Sequence, residues 1–205
     1  MELILVRHAE PLEETRSDGR PADPPLSERG RAEARALAEW LVAEGGGVDR
    51  LVSSPALRAR ETAMEVAARA GLEIEIEPRV RDANARGGRY VPLEADRDRD
   101  PEAYRARLQA YRDSPRLEAL VPRVSEACGE WAARCPGQRV AIFCHGSVIN
   151  VYASQVLGLE PRAFLEASYA STHRFLVSRS GVRSVRSLNE TAYLALARRR
   201  PSPLQ

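Results

Sequence analysis

The sequence predicts an α/β fold, a three-layer α/β/α sandwich around a mainly parallel sheet. Two observations carry that reading. Short apolar runs of strand length alternate with stretches whose apolar residues recur at helical spacing. Most connections between them are short, an order that produces parallel strands with crossover helices. A chain of 205 residues also buries roughly 70% of its unfolded surface, so no disulfide staple is needed.

The elements follow in order. Glu2–Val6 is a nearly continuous apolar run, read as a buried strand, and a polar, proline-rich loop runs from Arg7 to Pro25. Ser27 is placed as the N-cap of a helix with the stripe Ala34, Leu37, Ala38, Leu41 and Val42, ended by Gly45–Gly47. Leu51–Ser53 reads as a second strand and Ala56–Ala70 as a second helix, with Gly71 at its C′ position. Leu72–Glu77 alternates apolar and acidic residues, as a strand with one wet face would. Pro78–Asp100 is expected to be a long helix-free loop or lid, rich in Arg, Gly and Asp.

Tyr104, Leu108 and Tyr111 mark one further helix. Leu117, Leu120, Val121, Val124, Cys128, Trp131 and Cys135 mark another, which Pro122 should kink or restart. Together the stretch 101–135 is expected to be a helical excursion over one face. Val140–Cys144 is the most apolar strand and is placed centrally, followed by a helix over Ser147–Leu157 and strands at His173–Ser178 and Val182–Ser187. One domain over residues 1–197 and a disordered tail at 198–205 complete the expectation.

All 31 cationic side chains are arginine and none is lysine. That removes Schiff-base, pyridoxal-phosphate and P-loop lysine chemistry. The formal charge of +2 lacks the clustered excess that a nucleic-acid coat needs. Cys128, Cys135 and Cys144 match no paired metal-binding spacing. The first residues form too short an apolar run for a signal peptide, and no run approaches a membrane span. The expectation is a cytoplasmic protein without nucleic-acid or membrane partners, with no indication of oligomeric state.

In open α/β sheets, ligands bind beyond the carboxyl ends of the strands. There the sequence places Arg7-His8 after the first strand, Ser53-Ser54-Pro55 with Arg58 after the second, Asp82 after the third, and His145-Gly146-Ser147 after the most apolar one. Two guanidinium forks suit a phosphoryl group, and an imidazole can attack phosphorus. A carboxylic acid can protonate a leaving alkoxide. The N–H groups opening a helix at Gly146 favour an anion. His173 lies outside these positions and is read as structural, and Cys144, at the opposite strand parity from His145, should point away from the crevice. No local spacing supports a metal site.

Several strings then resemble one family. LVRHAE is similar to the RHG/RHA signature of the histidine phosphatase superfamily, in its phosphoglycerate-mutase-like branch (branch 1). Asp23–Leu37 (DPPLSERGRAEARAL), Leu51–Ala63 (LVSSPALRARETA) and Val140–Asn150 (VAIFCHGSVIN) resemble its further motifs in the same order. SLNETAYL resembles the closing segment, with Tyr193 where His is usual. The resemblance implies a phosphoglycerate-mutase-like fold and phosphoryl transfer without metal or other cofactor. His8 would be the nucleophile, and Arg7, Arg58 and His145 would hold the phosphoryl group beside the N–H groups at Gly146; a second histidine charged between two anions can act as a further phosphate donor.

Asp82 stands where the family usually has Glu and is taken as the proton donor, with Glu94 or Asp96 as substitutes should the loop fold back. Glu14 replaces an Asn found in many mutases and sugar bisphosphatases, which should disfavour a second substrate phosphate unless an arginine neutralises it. A G-E-S segment is also absent before the 117–135 helix, and the chain lacks the length of cofactor-dependent mutases. The resemblance therefore implies a phosphomonoesterase acting on a small phosphorylated metabolite through a phosphohistidine. Inorganic phosphate would also bind. Mutase-type transfer or a non-catalytic phosphate-binding module are the alternatives.

Overall fold

The computed structural model describes residues 1–43, 46–83 and 87–199. Six strands form the main sheet in the order β4-β3-β6-β1-β7-β8. They are β1 (Glu2–Arg7), β3 (Arg50–Ser53), β4 (Ile74–Ile76), β6 (Arg139–Cys144), β7 (Thr172–Val177) and β8 (Arg183–Glu190). The first four of that order run parallel, whereas β7 and β8 are antiparallel to their neighbours. β2 (Glu14–Thr15) and β5 (Arg89–Tyr90) pair separately as a two-residue antiparallel ribbon.

Strand parity divides the core. Ile4 and Val6 of β1, with Leu51, Ala141 and Phe143, pack against α1 (Glu28–Ala43), α2 (Leu57–Ala70) and α7 (Ala192–Arg199). Leu3 and Leu5, with Val52, Val140, Ile142 and Cys144, face α5 (Val121–Arg134) and α6 (Gly146–Leu157). Strands buried on both faces lose the alternation of a half-wet strand, which is why ELILV and VAIFC read as unbroken apolar runs.

Local chemistry sets the helix ends. Ser27 caps α1, its Oγ accepting from the Gly30 N–H at 2.9 Å. α2 closes on Gly71, whose φ of +67° lies in the left-handed region that suits glycine. The expected stop of α1 falls partly on Glu44 and Gly45, outside the described residues, as do 84–86 of the long loop and 200–205 of the tail.

Three expectations need correction. The 78–100 segment is not helix-free: it contains 3₁₀ turns at Pro78–Val80 and Leu93–Ala95, strand β5, and α3 (Asp96–Arg99). Prolines at 78 and 92 start those turns, and Asp100 caps the next helix, α4 (Pro101–Arg112), by accepting from the Ala103 N–H at 3.0 Å. The excursion narrows to α4, which buries no residue, because α5 places Val124, Ala127, Cys128 and Trp131 in the core. Pro122 restarts the chain, standing in the first turn of α5 after a 3₁₀ turn at Glu118–Leu120. Finally, Arg198 and Arg199 belong to α7 rather than a tail. That helix is held where Tyr193 stacks on Trp40, ring centroids 4.5 Å apart, and its hydroxyl donates to the Ala170 carbonyl.

Candidate active site

The carboxyl ends of β1, β3 and β6 converge on one crevice, and each motif supplies a piece of its wall. The His8 N–H donates to the Cys144 carbonyl at 3.0 Å, and the Ser54 N–H to Phe143 at 2.9 Å, so hydrogen bonding continues past the strand ends. His8, Arg58 and His145 are 2%, 3% and 1% exposed. The two imidazole rings lie 5.2 Å apart, edge to face.

Hydrogen-bond partners assign the tautomers. His8 Nδ1 donates to the Ala9 carbonyl at 2.8 Å, leaving a lone pair on Nε2, which accepts from Arg58 Nε at 3.3 Å. His145 Nδ1 accepts from Arg58 Nη2 at 3.3 Å, while its Nε2–H donates to Ser54 Oγ at 2.9 Å. One edge of the Arg58 guanidinium therefore spans both rings. Burial first, and then the Arg58 charge, pushes both imidazoles well below the usual histidine range. The charged groups beside His145 here are arginines, which favour the neutral ring.

The motif spacings now have physical reasons. Arg58 is backed by Asp23, whose Oδ1 lies 3.5 Å from Nη1 and accepts the Leu57 N–H at 2.9 Å. Thr62, one turn beyond Arg58, accepts the Ala9 N–H at 3.0 Å and so ties α2 to the His8 loop. Gly30 lets α1 approach that loop: a Cβ there would stand 2.0 Å from the Glu10 carbonyl oxygen. Gly146 opens α6 against the crevice, where a Cβ would meet the Tyr111 hydroxyl at 3.4 Å.

Asp82 reaches the same crevice. Its Oδ1 accepts from Ser147 Oγ at 2.7 Å and from the Ala83 N–H at 2.8 Å, and its Oδ2 lies 3.6 Å from Arg58 Nη2. Arg7 sits opposite, its guanidinium 4.1 Å from the centre of the Tyr169 ring, and its buried Nε has no acceptor within the protein. The candidate substitutes for Asp82 are engaged elsewhere: Glu94 accepts from Arg7 Nη1 at 2.6 Å, and Asp96 accepts from Arg107. Burial pushes the Glu94 carboxyl up, but Arg7 outweighs it and holds the group below the usual range, ionised rather than carrying a proton.

The other sequence expectations resolve simply. His173 is buried, bonded to Ser171 Oγ at 2.9 Å and accepting the Asn189 N–H at 3.2 Å. Cys144 packs in the α5/α6 core with Cys128, away from the crevice. Glu14 binds Arg16 at 3.3 Å and the Asp23 N–H at 2.6 Å, and it does not line the cavity. An arginine does neutralise it, so it gives no argument against a second substrate phosphate. Tyr169, Ser54, Asp23 and Ser147 were not singled out as site residues. Asp23, Ser54 and Ser147 lie inside motifs already quoted, whereas Tyr169 sits in a connection with no local pattern.

The crevice opens into a cavity of about 890 Å³ lined by Arg7, His8, Asp82, Tyr111 and His145, among others. Among the described residues no group of three or more His, Cys, Asp and Glu is placed to hold a metal ion, and no helix is long and apolar enough to cross a membrane.

Fold and crevice together define a doubly covered α/β protein with two histidines and two arginines gathered at its parallel strand ends. The chain belongs to the histidine phosphatase superfamily (branch 1), whose family model matches residues 3–191. It is 30% identical over 186 residues to phosphoserine phosphatase 1 of Hydrogenobacter thermophilus, covering 84% of this chain and 86% of that protein. It is 29% identical over 195 residues to the mitochondrial serine/threonine-protein phosphatase Pgam5 of Drosophila ananassae, covering 94% of this chain but 64% of that protein. The chain spans 54% to 64% of the length of the first curated relatives that it matches. Among solved structures, native mycobacterial glucosyl-3-phosphoglycerate phosphatase superposes with a TM-score of 0.71 at 22% identity, covering 93% of this chain and 99% of that one. At that identity the likeness establishes the phosphoglycerate-mutase-like fold.

Proposed function

We propose that this protein is a metal-independent phosphomonoesterase that hydrolyses a small phosphorylated metabolite through a phosphohistidine on His8. One observation carries the reading: the Nδ1 bond to Ala9 leaves His8 Nε2 unprotonated at the crevice, where its lone pair accepts from Arg58 Nε, a donor that an entering phosphoryl oxygen would take over to free Nε2 for attack. A neutral imidazole so held is a nucleophile, and buried guanidinium donors stabilise charge on a transferring phosphoryl group.

The reaction divides into two displacements. His8 Nε2 forms a bond to phosphorus as the ester P–O bond breaks, with Arg7, Arg58, His145 and the N–H groups at Gly146 holding the equatorial oxygens. Asp82 acts as the general acid that delivers a proton to the leaving alkoxide. Water then attacks phosphorus, its proton passes to Asp82, and the P–N bond returns its electrons to His8. The entering phosphoryl dianion draws a proton onto His145 by reversing the charge environment that now excludes one.

The substrate proposed carries a second anionic group. Each carboxylate lining the cavity has its own arginine: Asp82 faces Arg58, Glu94 Arg7, Asp96 Arg107 and Glu166 Arg97. Arg89 and Arg112 also line it, without a carboxylate in salt-bridge range among the described residues. A cytoplasmic location belongs to the same proposal, supported by three cysteines that are all free and buried. So does the expectation of one domain, here extended through α7.

Turnover of a chromogenic aryl phosphate tests the activity. The expected result is phosphate release that a chelator does not reduce and that His8→Ala abolishes. Bound phosphate without turnover between about pH 5 and 8 would make the protein a binding module. Relocation of the phosphate within a diol substrate, without release, would make it a mutase.

A further inference from the structure

Arg7 is held from behind by several groups at once. Nη1 donates to Glu94 Oε1 at 2.6 Å and also to the Ala167 carbonyl. The guanidinium plane lies over the Tyr169 ring, 4.1 Å from its centre. The Tyr169 hydroxyl in turn donates to Glu94 Oε2 at 2.7 Å, closing a ring of contacts. The same Tyr169 ring stands 5.8 Å from His8. Burial pushes the Tyr169 phenol up, which keeps it a neutral donor to Glu94. Against all this, Arg7 Nε is buried and meets no acceptor.

We propose that Glu94 and Tyr169 are positioning residues that clamp Arg7 through Nη1 and the guanidinium face, aiming its Nε–Nη2 edge at the phosphoryl group. The inference rests on Arg7 gripping that group, as proposed above. A side-on edge gives two parallel donors to two oxygens of one anion, the strong geometry for a guanidinium. Left unclamped, an arginine has many rotamers to lose on binding, and small misplacements at a reacting centre are costly. The clamp also joins three separate segments: the end of β1, the 3₁₀ turn at Leu93–Ala95, and the connection before β7. This gives the 78–100 segment a task other than supplying a proton donor.

An opposite reading of the same contact is that Glu94 imitates substrate and must leave Arg7 before a phosphoryl group enters. The two readings differ in sign. In the clamp, Glu94→Ala lowers kcat/KM by about 30-fold, with much of the loss in kcat, since orientation at the reacting centre is what is lost. Glu94→Gln keeps an acceptor for Nη1 and recovers most of that loss. Tyr169→Phe keeps the ring face but drops the bond to Glu94, and falls between. In an Arg7→Ala background, Glu94→Ala adds little further loss.

Phosphate affinity and melting temperature are measured on the same variants. A rise in phosphate affinity and kcat/KM for Glu94→Ala overturns the clamp in favour of a competing carboxylate. Unchanged kinetics overturn it as well, and so does a full additional loss in the Arg7→Ala background. Wild-type protein without turnover, or His8→Ala with it, would instead fail the proposed function, so the two failures are separable.

Discussion

The two ends of β1 both gather arginines around carboxylates, but they close differently. At the amino end, Glu2 is 6% exposed and receives Arg174 at 3.1 Å, Arg186 at 3.2 Å and Arg139 at 3.3 Å, while Arg174 also reaches Glu190 at 3.0 Å. Each of those forks ends on a carboxylate of the protein. At the carboxyl end, Arg58 donates to two neutral imidazoles, and Arg7 keeps a buried N–H with no acceptor. A buried donor without a partner costs about 1–3 kcal/mol, and such a cost is recovered when an anion arrives. The amino end is internally matched, whereas the carboxyl end keeps the unmatched buried donor that the proposed function assigns to a phosphoryl group.

That contrast can be broken by substitution. Among substitutions that keep His8, Asp82→Asn should produce the largest change: about 10³-fold lower kcat/KM for an alkyl phosphate, and far less for an aryl phosphate whose leaving group needs no proton. Equal losses on both esters would move the acid role away from Asp82. Arg58→Lys should follow at about 10²-fold, because an ammonium cannot span His8 and His145 as the guanidinium edge does. Steady-state kinetics with phosphate release measures both.

At the other end of β1, Glu2→Gln should leave kcat per folded molecule unchanged. It should instead cost about 2 kcal/mol by removing the charge shared by buried Arg174, which keeps Glu190, and by the half-exposed Arg139 and Arg186, a fall of about 4–8 °C in Tm for a chain of this size. A loss of activity in fully folded Glu2→Gln would erase the distinction between the two clusters. Smallest of all, Arg20→Lys, at a side chain 79% exposed, should change neither quantity.

The pH response follows from the crevice histidines. Burial, and then Arg58, depresses both imidazoles, and burial takes His173 down to about 3. A base depressed in the folded state contributes stability that is complete above its unfolded value near 6.5. That contribution drains as pH falls towards the folded value, at up to about 1.4 kcal/mol per pH unit for each ring. Urea unfolding should therefore weaken steadily below about pH 6.5. The acid limb of kcat/KM should lie well below the ordinary histidine value, and a limb near 6.5 would contradict the neutral, crowded pair.

The sequence made the strand-end residues legible because the pattern there is local. Arg7-His8 and His145-Gly146 stand beside the apolar runs of two central strands, and the order of motifs brought Arg58 and Asp82 into the same set. The distal contacts were not legible. Tyr169 comes to Arg7 through the antiparallel pairing of β7 with β1, a relation between residues far apart in the chain that no periodicity records. Glu94 was visible as an acidic loop residue, but its partner decides whether it is an acid or a counter-ion. The same applies to α5: its stripe predicted a helix, while its place in the core depended on which face of the sheet it crossed.

One experiment bears most directly on the unmatched end. Enzyme mixed with phosphorus-labelled substrate and quenched under denaturing conditions should retain label on protein. The bond should survive alkali, be lost in acid, map to His8 and vanish in His8→Ala. Wild-type protein that turns over substrate without such an intermediate, or that carries the label on another residue, would contradict the account.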